Sequence, residues 1–219
     1  MFIGHYSAAF VAAAQPRAPR LATLFVAAQL VDLGFFTLVM TGGEAMRITP
    51  GFTVMNPMDL YHMPYTHSLL GSLVWAAGFG LLLRLLGANT RAALIGAGVV
   101  LSHWFIDLLV HGPDLTLLGQ PPKFGLGLWN LPAIEMPLEL GITAAAIWYF
   151  ARAAQISLTA PRMIAMILFL LSVQLFNWFG PVPTKFDISM PISALLAYGV
   201  AIIMAWWLAT GDNRRMTNG

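Results

Sequence analysis

Arg91–Asp114 reads RAALIGAGVVLSHWFIDLLVHGPD. The stretch is an apolar run that closes on His103, Asp107 and His111, which recur every four residues. On an α-helix this spacing keeps all three on one broad face, turning about 40° per step. Two imidazoles and a carboxylate stacked in this way are side chains that suit a divalent metal. A buried His–Asp pair can also do no more than tie helices together. Within a bilayer either arrangement is costly to carry, so the rest of the chain is read by what it brings to that face.

Composition sets the class. The chain of 219 residues is 58% hydrophobic and 9% charged, with a mean hydropathy of +0.76. Soluble domains carry about 25% charged residues, so this chain cannot cover itself with a solvated surface. It reads as an all-α, polytopic membrane bundle of one domain over 1–219. The net charge of +2 comes from Arg at helix ends rather than from a basic patch, which argues against nucleic acid as a partner. There is no Cys, which excludes disulfides, thiolate metal sites and thiol nucleophiles. The first charges, Arg17 and Arg20, follow the first apolar residues, unlike a cleavable signal.

Taken in order, residues 2–14 form an apolar helical segment too short to cross a core of about 30 Å. Gln15–Arg20 breaks it. Six full spans are expected near 21–40, 66–86, 91–110, 132–152, 162–180 and 189–209. The intervening segments 41–65 and 111–131 read as Pro- and Gly-rich loops. Eight Arg (17, 20, 84, 91, 152, 162, 214 and 215) fall on one side, against Arg47, Lys123 and Lys185 on the other. The Arg-rich side is expected to be cytoplasmic, together with the C-terminus.

This topology brings polar groups from several spans to one depth. Gln29 and Asp32, His67, His103 and Asp107, Glu135 and Glu139, and Gln174 and Asn177 all fall in the outer halves. Unpaired, each carboxylate there costs a few kcal/mol, roughly, so the groups are expected to pair or to share a cation. His5 joins them only if the short first helix descends from the outer half to the Pro-Arg turn. The rival is an amphipathic helix lying on the inner surface. Glu135 reads as a residue at the solvated mouth. Glu139, deeper, is a candidate ligand or general base. His111 precedes Gly112-Pro113 and reads as a candidate base more than as a direct ligand. Thr66 or Ser68 is expected to cap the span that follows. His62 lies beside Pro64 in a loop, and Trp129 fits an aromatic belt.

Gly4-His5, Asp32, Thr66-His67-Ser68, Ser102-His103 and Asp107 together resemble the membrane-bound, metal-dependent hydrolases, a family of small bacterial inner-membrane proteins. The resemblance covers about residues 3–115. It implies a helical core similar to that of zinc-dependent phospholipases, set in the bilayer. It also implies His5, Asp32, His67, His103 and Asp107 as metal residues, with zinc the expected ion. The chain departs from the family at Gln29–Leu33, where one acidic partner is missing, and at Met63–Tyr65, where a basic residue is replaced.

The leading expectation is a hydrolase acting on a lipid-like substrate at headgroup depth by metal-activated water, with Glu139 or His111 as base. A transporter would need polar residues continuing toward the cytoplasm, and the inner halves are mostly Ala, Leu, Val and Phe. A haem protein with His67 and His103 as axial ligands, and a purely structural polar cluster, are the remaining readings.

Overall fold

The structure, a computed structural model, describes residues 1–210. Arg214 and Arg215, counted above toward the cytoplasmic side, lie outside the described residues. The chain is mainly helical. It runs through α1 (His5–Ala13), α2 (Leu21–Thr41), β1 (Ala45–Ile48), β2 (Met58–His62), α3 (Leu69–Leu85) and α4 (Thr90–Val110). It continues through β3 (Leu115–Thr116), β4 (Lys123–Phe124), a 3-10 turn at Leu128–Asn130, α5 (Pro132–Ala154), α6 (Pro161–Phe179) and α7 (Ser189–Thr210).

Two features differ from an all-α bundle of six full spans. First, the expected loops 41–65 and 111–131 hold small antiparallel hairpins, β1 with β2 and β3 with β4. Strands β3 and β4 have two residues each and cannot show a period of two, and the burial of β2 does not alternate. Second, four helices, α2, α4, α6 and α7, are long and apolar enough to cross a membrane. Helix α3 has 17 residues, about 25 Å at 1.5 Å per residue, short of a core of about 30 Å. Helix α5 is long but carries Glu135, Glu139, Arg152 and an internal Pro137. The four apolar helices mark a membrane-embedded protein.

Local signals explain several boundaries. Ser68 caps α3 by accepting from the Gly71 N–H at 2.9 Å, and Asn89 caps α4 by accepting from the Ala92 N–H at 3.0 Å. Helices α3 and α4 form a close antiparallel pair. A Cβ at Gly96 would lie 2.7 Å from Leu83 Cδ1, so the glycine permits that approach.

The short first helix is buried, not laid on a surface. Tyr6, Ala9, Phe10 and Ala13 pack against α2, α4 and α5. Phe10, Phe25, Val99, Val100, Phe150 and Met163 belong to one large apolar cluster filling the half of the bundle far from the hairpins. A second, smaller cluster lies at the hairpin end and joins Phe35, Met46, Leu60, Met63, Leu115 and Tyr198. Most buried polar side chains of the helices lie between the two.

Candidate metal centre

The centre is built on α4. His103 and Asp107 lie one turn apart on its buried face, and His111 caps its end. The His111 backbone has left the helix, at φ −61° and ψ 147°, yet its N–H still donates to the Asp107 carbonyl at 2.9 Å. The strap Phe124–Leu131 fixes this corner, since the Gly127 N–H donates to the His111 carbonyl at 2.7 Å. Trp129 covers the His111 imidazole, with ring centroids 4.4 Å apart.

His5 opens α1. Glu139 anchors that start, its Oε1 accepting from the Phe2 N–H at 2.6 Å and the Gly4 N–H at 2.9 Å. A Cβ at residue 4 would lie 2.7 Å from Met1 Sδ and 3.3 Å from Glu139 Oε1, which explains the glycine before this histidine. Asp32 comes from the middle of α2. His67 comes from the turn before α3, which Glu44 holds by accepting from the Tyr65 and Thr66 N–H groups at 2.8 and 3.0 Å.

All four of these imidazoles turn Nε2 toward Asp107. His5 and His111 approach Oδ1 at 3.0 and 3.4 Å, while His103 and His67 approach Oδ2 at 3.0 and 3.6 Å. Asp32 Oδ1 lies 3.3 Å from His67 Nε2 and 3.5 Å from His103 Nε2. The Met1 amino group is 3.5 Å from Asp107 Oδ1. Two overlapping triads have donor atoms within 4.8 Å of one another: His5, His103 and Asp107, and Asp32, His67 and His103.

The opposite ring edges fix the tautomers. His103 Nδ1 is 2.9 Å from the Ala28 carbonyl, which can only accept, so Nδ1 carries the hydrogen. Thr66 donates its hydroxyl to Glu44 Oε2 at 2.6 Å, so it accepts from His67 Nδ1–H at 2.9 Å. His111 Nδ1 lies 2.9 Å from Asp114 Oδ1. Three of the four histidines thus rest their Nδ1 on an oxygen, the outer arrangement that orients metal-binding imidazoles.

These contacts fit an ion better than they fit protons. His103 Nε2 is buried and close to two carboxylates, yet it makes no hydrogen bond. A proton on one nitrogen serves one oxygen well, whereas an ion serves every donor around it. Bonds of about 2.0–2.1 Å to a tetrahedral ion set neighbouring donors about 3.3–3.4 Å apart. The four His–Asp edges around Asp32, His67, His103 and Asp107 Oδ2 measure 3.0–3.6 Å. The buried His/Asp cluster can bind a metal ion.

At the helix end, burial disfavours the His111 imidazolium, but Asp114 and Asp107 outweigh it and raise this group to about 9. These carboxylates favour the protonated imidazole at neutral pH, a proton that a bound ion would have to displace.

His5, Asp32, His67, His103 and Asp107, expected from the sequence, are brought together. His111, expected as a base, stands among the ligand candidates. Glu139, the other expected base, has both oxygens engaged, since Oε2 accepts from Gln174 Nε2 at 2.7 Å. Glu135, expected at a solvated mouth, is fully buried, and neither carboxylate oxygen has a hydrogen-bond partner among the described residues. His62 is exposed on β2 and stays outside the cluster. Four contributors were not anticipated in these roles: Glu44, Asp114, Tyr198 and Thr66. Tyr198 donates to Asp32 Oδ2 at 3.0 Å from α7. Asp114, three residues from His111, and Thr66, adjacent to His67, had a local signal; Glu44 and Tyr198 had none. A haem between His67 and His103 conflicts with their ring centroids, 5.5 Å apart, and with the two aspartates between them. No family model, curated protein or solved structure matches the chain.

Proposed function

We propose that the protein is a membrane-embedded, metal-dependent hydrolase, as its resemblance to the membrane-bound metal-dependent hydrolases implies. The observation that carries this reading is the convergence of four imidazole Nε2 atoms on the Asp107 carboxylate, beside Asp32. Zinc suits this set of nitrogen and oxygen donors. A divalent ion in such a site supplies Lewis acidity and acidifies water near neutral pH.

The chain's own residues divide the remaining work. Ala28, Thr66 and Asp114 orient the imidazoles. Glu139 and Gln174 hold the start of α1, the Ile3 N–H donating to Gln174 Oε1 at 3.3 Å. The large apolar cluster closes one side to water and favours hydrolysis over transport, because a pathway would have to cross it. Asp32 keeps 18% of its side chain exposed beside Tyr198, which gives access along α7. A lipid-like phosphoester or amide suits access from within a bilayer. The excess of Arg at one set of helix ends supports a reading with the centre toward the outer face of a bacterial inner membrane and the C-terminus cytoplasmic.

The test is turnover of lipid phosphoesters and lipid amides by zinc-loaded protein, with chelation and zinc add-back. Chelator-sensitive release from either class is expected, restored by zinc add-back. A protein that binds zinc in the cluster but releases neither product would overturn the hydrolase reading and leave the metal centre standing.

A further inference from the structure

We infer that the centre holds two metal ions, bridged by the two oxygens of Asp107. This rests on the metal-centre reading above and extends it to the number of ions and the role of His111.

The first support is the donor count. His5, His67, His103, His111, Asp32 and Asp107 make six side chains around one carboxylate. A zinc-class ion is almost always four-coordinate in such sites. One ion cannot use the whole set, and unused buried donors would be costly.

The second is how the donors divide. His103 and His67 face Oδ2 of Asp107, on the side where Asp32 also lies. His5 and His111 face Oδ1. Each oxygen therefore has its own pair of imidazoles. One ion falls to Asp32, His67, His103 and Oδ2, and the second to His5, His111 and Oδ1. The Met1 amino group, 3.5 Å from Oδ1, borders the second position.

The third is spacing. The His5 and His103 rings are stacked 3.9 Å apart and only 8° from parallel. Their Nε2 atoms address different oxygens of the same carboxylate, each at 3.0 Å. Parallel imidazoles at that separation set two ions side by side at about the 3.5–4 Å found in two-metal sites. His5, His103 and Asp107 also lie close enough to share one ion, the arrangement that the zinc count below distinguishes from two. Asp114 orients His111 at the second position. Its Oδ1 takes the His111 Nδ1–H, and its Oδ2 is buried without a partner.

Charge agrees with this count. Asp32, Asp107 and Asp114 converge here, and among the described residues the Met1 ammonium, not a Lys or Arg, is the non-histidine cation beside them. Two divalent ions offset those carboxylates more fully than one.

The test is zinc titration of the full-length chain in detergent, read as zinc per chain by elemental analysis after gel filtration. Two zinc ions are expected in the wild type. One is expected to remain in His111→Ala and in His67→Ala, and background only in Asp107→Ala. Manganese loading of the wild type provides a readout independent of any variant's folding, and an exchange-coupled electron paramagnetic resonance signal is expected. A single zinc per chain with an uncoupled manganese spectrum would overturn the two-ion centre and leave a one-ion hydrolase intact. No zinc at all would overturn both readings.

Discussion

Asp32 and Phe25 belong to the same helix, as do His103 and Val100, yet their surroundings are opposite. Phe25 and Val100 are fully buried among Phe10, Val99 and Phe150. Asp32 and His103 meet His67 and Asp107 on the side toward the hairpins. The apolar half has only shape to satisfy, whereas the polar half has charge. Concentrating every costly group at one level leaves the far half free to serve as a dry, close-packed base for the centre.

Substitutions that exchange the character of the two halves test this division most strongly. Removing the shared carboxylate in Asp107→Ala should weaken zinc binding by more than about 100-fold, beyond the 10–100-fold typical of outer partners. Competition with a chelator of known affinity measures it. Placing a carboxylate in the apolar half, as Val100→Asp, should cost about 2.5–3.5 kcal/mol of stability, the penalty for a charge at bilayer depth. Denaturant unfolding in detergent would show it, and an unchanged midpoint would mean that this half is not dry.

Smaller effects sharpen the polar half. Thr66→Val and Asp114→Asn keep side-chain size but disturb the oxygens that orient His67 and His111. Each should lower zinc affinity about 10–100-fold while leaving the fold intact. A normal affinity in Thr66→Val would remove the chain Glu44–Thr66–His67 from the design of the site. The mildest probe is pH. With His111 raised to about 9, this group carries a proton throughout the neutral range, and the ion must displace it. Below that value zinc affinity should therefore fall with pH, about tenfold per unit for each proton displaced. A pH-independent affinity between 6 and 8 would show that no proton leaves.

The residues of the His/Asp cluster were legible in the sequence because each carries a local mark. His103 and Asp107 show helical spacing inside an apolar run, and Asp32 is a lone carboxylate in another. His67 stands between two hydroxyl residues. Gly4-His5 required the short first helix to descend, and the packing of Tyr6 and Phe10 puts it inside the bundle. The outer partners were far less legible. Glu44 acts through a turn closed by the β1–β2 hairpin, and Tyr198 reaches Asp32 across 166 positions of sequence. Such contacts arise from chain crossings that no periodicity encodes. The short hairpins escaped for a related reason, since β3 and β4 have two residues each and cannot display alternation. Span counting overshot at α3 and α5, where one helix is short and the other carries Glu135, Glu139 and Arg152.

The central claim is that Asp107 is the hub of a metal centre. Anomalous scattering from crystals of the zinc-loaded protein, collected on both sides of the zinc edge, tests it most directly. Zinc density is predicted within bonding distance of the Asp107 carboxylate, flanked by the Nε2 atoms of His5, His67, His103 and His111. Zinc density confined to other parts of the protein, with Asp107 bonded only to protonated imidazoles, would contradict it.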